Sequence, residues 1–135
     1  MESDRRRIAI DTSAWIAIRF EEPGHELLVE RIVNAAAVLV SPPTVLETAI
    51  ILRREYPVDP RLSLARDLKS FGIQIVPLNE DHSDIAIEAF LRYGKGRHPA
   101  ALNFGDCLSY AVASLAGIPL LYVGDDFSKT DIEAA

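Results

Sequence analysis

The sequence predicts an α/β fold, an α/β/α sandwich built on a central and mostly parallel sheet, and three observations predict it. Short runs rich in Ile, Val and Leu recur without polar alternation, which is how strands buried on both faces read. Longer stretches of helical length and period separate them. Strands and helices alternating in this way imply βαβ crossovers, and hence parallel pairing with helices on both faces.

Each element has its own signal. The strand runs are RIAID (7–11), AAVLVS (36–41), IQIVPL (73–78) and IPLLYVG (118–124). Helical patterns fall in SAWIAIRF (13–20), GHELLVERIVNA (24–35), PTVLETAIILRREY (43–56), PRLSLARDLKSFG (60–72), SDIAIEAFLRYG (83–94) and NFGDCLSYAVASLAG (103–117). Pro42 and Pro43 start one helix, where a missing N–H costs nothing, while Pro57 and Pro60 separate two others. Gly72 and Gly117 stand where helices close. No repeat or low-complexity segment interrupts the series, so residues 1–135 are expected to form a single domain.

Composition narrows the function. A chain of 135 residues, 49% hydrophobic and 25% charged, is long enough for one full core and too short for two ordinary domains. Charged residues at Glu21, Glu22 and Glu26 follow the first apolar run too soon for a signal peptide or a membrane span. A cytoplasmic protein with no membrane partner is expected. Cys107 is the only cysteine, which rules out an internal disulfide or a thiolate zinc cluster and suits a small apolar packer. The net charge of −6 argues against simple nucleic-acid binding through surplus Lys and Arg. Carboxylates converging on a divalent metal can still turn a repulsive pocket into one that attracts phosphate.

In a parallel sheet, ligands bind beyond the carboxyl ends of the strands. Asp11 ends the first strand, and Asp125 and Asp126 follow the fourth. Asp106 opens the helix that feeds the fourth strand, and Glu47 interrupts the otherwise uncharged TVLETAIIL. Each has a structural reading. Asn103 and Asp106 resemble a capping box, Asp11 can cap the helix at Ser13, Glu47 can sit at an exposed helix edge, and two adjacent aspartates suit a solvated turn. Their coincidence at one end of the sheet favours an all-oxygen site for a hard cation, Mg²⁺ or Mn²⁺.

IDTSAWIAI, PPTVLETAIIL and ALNFGDCLSYAVASLAGIPLLYVGDDFSKTDI together resemble the PIN-domain ribonucleases, specifically the VapC-type toxins of bacterial toxin–antitoxin pairs. The resemblance covers nearly the whole chain. It implies a PIN-like fold, Mg²⁺- or Mn²⁺-dependent cleavage of RNA, inhibition by a VapB-type antitoxin, and a homodimer. Carried over by residue, Asp11, Glu47 and Asp106 match the three main acidic positions of the family. The fourth is placed at Asp125, as the first residue past its strand, with Asp126 ordering the turn. Thr12 or Ser13 matches the small hydroxyl residue near the metal, and Asn103 is a supporting residue as well as a cap. Asp11 and Asp106 are expected to hold the metal most directly, with Glu47 and Asp125 completing the shell or orienting water. The antitoxin is expected to lay an apolar helix near Trp15 and the TVLETAIIL helix, then to place a basic segment among the carboxylates.

Arg92, Lys95, Arg97 and His98 lie in or beside YGKGRHP, read as a flexible loop that either binds RNA phosphates or is simply solvated. His98 is a weak candidate for a general acid, and Trp15 packs a core or a dimer surface. Two other functions stay open: a metal-dependent nuclease acting on DNA, and a non-catalytic interaction module on the same fold.

Overall fold

The computed structural model describes residues 5–135. Its elements run β1 (Arg7–Ile10), α1 (Thr12–Arg19), α2 (His25–Asn34), β2 (Ala37–Val40), α3 (Pro42–Glu55), α4 (Arg61–Ser70), β3 (Ile73–Ile75), α5 (Glu80–Tyr93), α6 (Phe104–Ala116) and β4 (Leu120–Leu121). The strands pair in the order β3-β2-β1-β4, all parallel. This is the predicted α/β fold.

Period-two alternation along the strands feeds two separate cores. Ile8, Ile10, Val38 and Val40 face α1–α4 and pack with Trp15, Ile32, Leu52 and Leu64. Ala9 and Leu39 face the other way, against Tyr93, Leu102, Tyr110, Val112 and Phe127. Both faces are dry, which is why the strand sequences carry no polar alternation.

Local chemistry starts and stops the helices, at Pro42 and Gly117 as expected and at Ser41 and Asn79 through caps that the sequence did not single out. Ser41 caps α3 by accepting from the Thr44 amide at 3.2 Å, with Pro42 at the first helical position. Gly117 closes α6 in the left-handed conformation, φ 67°. Asn79 caps α5, and the buried His82 ring completes a capping box by accepting the Asn79 amide at 3.1 Å.

Three expectations are corrected. The strand β4 ends at Leu121, so Asp125 is not the first residue beyond it; Tyr122, Val123 and Gly124 intervene. Past Leu121 the Val123 amide goes to the Ser13 hydroxyl oxygen instead of to a strand; on the outer edge of β4 the Leu120 amide donates to the Glu133 carbonyl and the Ala135 amide to the Leu120 carbonyl, so the C-terminal segment covers the sheet edge. The segment Gly94–Leu102 is not loose. It is closed by Lys95 N–H to Leu102 O, Leu102 N–H to Tyr93 O and His98 Nδ1 accepting from the Ala100 amide, a set of local bonds that polar composition does not reveal. Trp15 is wholly buried and donates from Nε1 to Asp67 Oδ2 at 2.9 Å, so it packs the core and cannot line a docking groove.

Candidate metal and phosphate site

Strand order reverses between β1 and β4, since the chain runs β1, β2, β3 to one side and returns to the other. Beyond the carboxyl ends of the strands at that switch point, Asp11, Glu47 and Asp126 come close enough to act on the charge of Asp106. Asp11 stands between β1 and α1 and is buried. Its Oδ2 accepts the Ser13 amide at 3.0 Å as the N-cap of α1, and its Oδ1 accepts the Ser109 hydroxyl at 2.6 Å. Capping and site membership are therefore compatible: one oxygen is fixed by α1, the other by α6.

Asp106 is the third residue of α6. The predicted capping box is present, with Asn103 Oδ1 accepting the Asp106 amide at 2.9 Å and Asp106 Oδ2 accepting the Asn103 amide at 3.1 Å. Burial pushes the Asp106 carboxyl up to about 7 against the lowering effect of the Asn103 amide. The charges of Asp11, Asp126 and Glu47 push in the same direction as burial. Glu47, in the second turn of α3, accepts the Thr12 hydroxyl at 2.6 Å.

The structure separates the two adjacent aspartates. Phe127 is buried beside Tyr122 and pins a 3₁₀ turn, Phe127–Lys129, immediately after Asp126. Asp126 is the member of the pair whose charge reaches Asp106, whereas Asp125 contributes its backbone carbonyl to the Ser128 hydroxyl at 2.8 Å. Ser13 ties this loop down by accepting the Val123 amide at 3.0 Å. Arg97 is not brought to the acids; its guanidinium lies over the Phe90 ring, 5.3 Å from the centroid.

Ser109 was not singled out by sequence. It lies three residues after Asp106, on the same helix face, and that spacing is the signal by which it could have been found. Among the described residues, no Lys or Arg is ion-paired with Asp11, Glu47, Asp106 or Asp126. Among those residues, too, no three His, Cys, Asp or Glu side chains are drawn into a finished metal cage. Three of the four carboxylates are turned instead to neutral internal donors.

A parallel sheet with hydroxyl- and amide-held acids at its switch point defines a class: an α/β protein whose polar side chains gather beyond the carboxyl ends of its strands. The PIN domain family matches residues 8–133. Ribonuclease VapC36 of Mycobacterium tuberculosis is 42% identical over 125 residues, spanning 92% of this chain and 90% of that protein. Ribonuclease VapC of Mycolicibacterium smegmatis is 40% identical over 127 residues, spanning 94% and 98%. Among solved structures, the sarcin–ricin loop cleaving toxin VapC20 of M. tuberculosis superposes with a TM-score of 0.74 at 21% identity, covering 95% of this chain and 98% of that one. A toxin–antitoxin complex from Klebsiella pneumoniae gives 0.69 at 17% identity over 92% of both chains. The chain belongs to the PIN-domain family and, within it, to the VapC ribonucleases.

Proposed function

We propose that the chain is a Mg²⁺-dependent endoribonuclease toxin, with Mn²⁺ able to substitute, acting as a single cytoplasmic PIN domain under the control of a VapB-type antitoxin. Asp11, Glu47, Asp106 and Asp126 are its metal-holding set, with Asp126 taking the place assigned from sequence to Asp125. The supporting observation is the gathering of Asp106 with Asp11, Glu47 and Asp126, none of them ion-paired with a Lys or Arg among the described residues, with the Asp106 carboxyl pushed up to about 7 by burial first and by those charges second. Like charges crowded in a partly buried site are costly until something positive joins them. Oxygen-only donors suit a hard divalent ion.

Such an ion, when bound, would supply a nucleophilic water at neutral pH and relief of charge on the phosphate. The remaining work falls to the chain. Ser109 and the Ser13 amide fix the direction of Asp11. The capping box aims Asp106 from the positive end of α6, where an anion is favoured. Glu47 and Asp126 enter from α3 and from the turn after β4, and complete the set on either side. Protonation of Asp106 below pH 7 competes with the ion, so activity rises through that range.

The same anionic pocket suits an arginine from an inhibitor, which bonds carboxylates in bidentate fashion. With Trp15 buried, the exposed Leu46 and Ile50 of α3 are the apolar residues an antitoxin helix would cover. Phe104 is 81% exposed at the start of α6, and with Ile87 and Leu91 of α5 it forms the face we assign to a second copy of the chain.

The test incubates the purified chain with end-labelled RNA and the matching single-stranded DNA, under Mg²⁺, under chelator, and with Mn²⁺ restored. Internal cuts in RNA that vanish with chelator and return with Mn²⁺ are expected, with the DNA intact. Cleavage undiminished by chelator overturns the metal assignment. Equal cutting of DNA replaces RNA by single-stranded nucleic acid in general.

A further inference from the structure

Glu47 is the one acid of the set that reaches the site from within a helix rather than from a strand end or a helix start. Its carboxylate lies against Gly105, the second residue of α6. A Cβ added at position 105 would stand 2.7 Å from Glu47 Oε2 and 2.9 Å from Oε1, closer than real Cβ atoms come, and 3.1 Å from Cδ. The backbone does not itself demand glycine there, since Gly105 is not among the positive-φ glycines. Within a helix, glycine is a poorer choice than alanine. The reason for glycine is therefore tertiary: the space its side chain would fill holds the carboxylate of Glu47.

On the other side of that carboxylate is a chain of buried hydroxyls. Thr48 Oγ1 donates to the Thr44 carbonyl at 2.8 Å and lies 3.3 Å from Thr12 Oγ1. That leaves the single hydrogen of Thr12 for Glu47 Oε1 at 2.6 Å, in preference to the Thr44 carbonyl at 3.4 Å. Glu47 is thus held by a hydroxyl on one side and closely fitted against bare backbone on the other.

We propose that Gly105 is a positioning residue: its missing side chain leaves the space against α6 in which Thr12 holds the Glu47 carboxylate beside Asp106. The proposal rests on the reading of these acids as the metal-holding set. The atoms that a Cβ would meet are the far end of a flexible side chain, so in Gly105→Ala the carboxylate yields and the helix stays.

Three variants test it, Gly105→Ala, Glu47→Asp and the pair together, each followed by metal-free melting, Mn²⁺ binding by calorimetry and a crystal structure of metal-free Gly105→Ala. Gly105→Ala is expected to melt at or above the parent temperature, to show Glu47 turned away from Thr12, and to bind Mn²⁺ about tenfold more weakly. Glu47→Asp withdraws the carboxylate by one methylene, so the double variant is expected to bind Mn²⁺ severalfold more tightly than Gly105→Ala alone. A Gly105→Ala structure with Glu47 still on Thr12 overturns the proposal. So does a double variant no better than Gly105→Ala. If Glu47 moves as expected yet Mn²⁺ binding is unchanged in every variant while Asp106→Asn abolishes it, Glu47 lies outside the metal-holding set and the positioning role falls with it. A parent chain that binds no Mn²⁺ removes the metal reading itself, and the structural displacement of Glu47 still distinguishes the two failures.

Discussion

Asp67 is a buried carboxylate and Asp106 a partly buried one, and the chain treats them in opposite ways. Asp67, on α4, receives the Trp15 indole at 2.9 Å on one oxygen and the Arg19 guanidinium at 3.4 Å on the other. Its charge is matched, and it joins α1 to α4 through the core. Asp106 receives only a backbone amide and is surrounded by Asp11, Asp126 and Glu47. The difference separates an acid that holds the fold from the acids we propose as the metal-holding set. A structural carboxylate is given its counter-charge by the chain, whereas the site acids are oriented by neutral amides and hydroxyls that leave their negative field intact.

Exchanging the charge at each of these two positions is the strongest way to break the contrast. Asp106→Asn keeps the capping geometry and removes the charge, so cleavage is expected to fall at least a hundredfold while the metal-free melting temperature holds or rises. Asp67→Ala leaves the Trp15 indole without an acceptor and Arg19 unpaired. It is expected to cost about 2–3 kcal/mol, or roughly 6–10 °C in melting temperature, with cleavage per folded molecule near normal. Cleavage assays and melts on the two proteins side by side decide the matter. An active Asp106→Asn, or an Asp67→Ala that melts like the parent, erases the distinction.

The adjacent aspartates sharpen it on a smaller scale. Asp126→Asn is expected to raise the Mg²⁺ needed for half-maximal cleavage about tenfold, because Asp126 is the one that adds to the field at Asp106. Asp125→Asn should move it by less than a factor of two. The reverse pattern in paired Mg²⁺ titrations would restore the assignment made from the sequence.

The smallest effect is one of pH. The Asp106 carboxyl titrates near 7 in the folded chain, above its ordinary value of 3.8, so the folded state holds the extra proton in between. Its favourable contribution is complete below about pH 4 and is lost as pH rises through about 7. Without metal, the parent is therefore expected to lose about 1–2 kcal/mol relative to Asp106→Asn between those limits, after allowance for partial solvation. Denaturant midpoints of both proteins across that range measure it. A difference that stays constant with pH removes the raised Asp106 carboxyl, and with it the burial and the neighbouring charges that the site reading invokes.

Legible along the chain were the alternation of strands and helices, the burial of the sheet on both faces, the helix ends at Asn103 and Gly117, and the candidacy of Asp11, Glu47 and Asp106. These follow from period, from turn chemistry and from the cost of a charge in an apolar run, which are properties of neighbours along the chain. What the sequence could not decide depends on residues distant in the chain. That Asp126 is the member of the pair whose charge reaches Asp106 appears only with the 3₁₀ turn that follows it and the burial of Phe127 in the far core. Asp67 becomes a structural acid only because folding brings Trp15, 52 residues away, to its oxygen. Gly105 reads as an ordinary weak spot in a helix until α3 lays Glu47 against it. Spacing along a chain reports which side chains share a face. Only packing between elements decides which charge meets a counter-charge and which meets neutral donors, because Coulomb interactions and hydrogen bonds depend on distance through space.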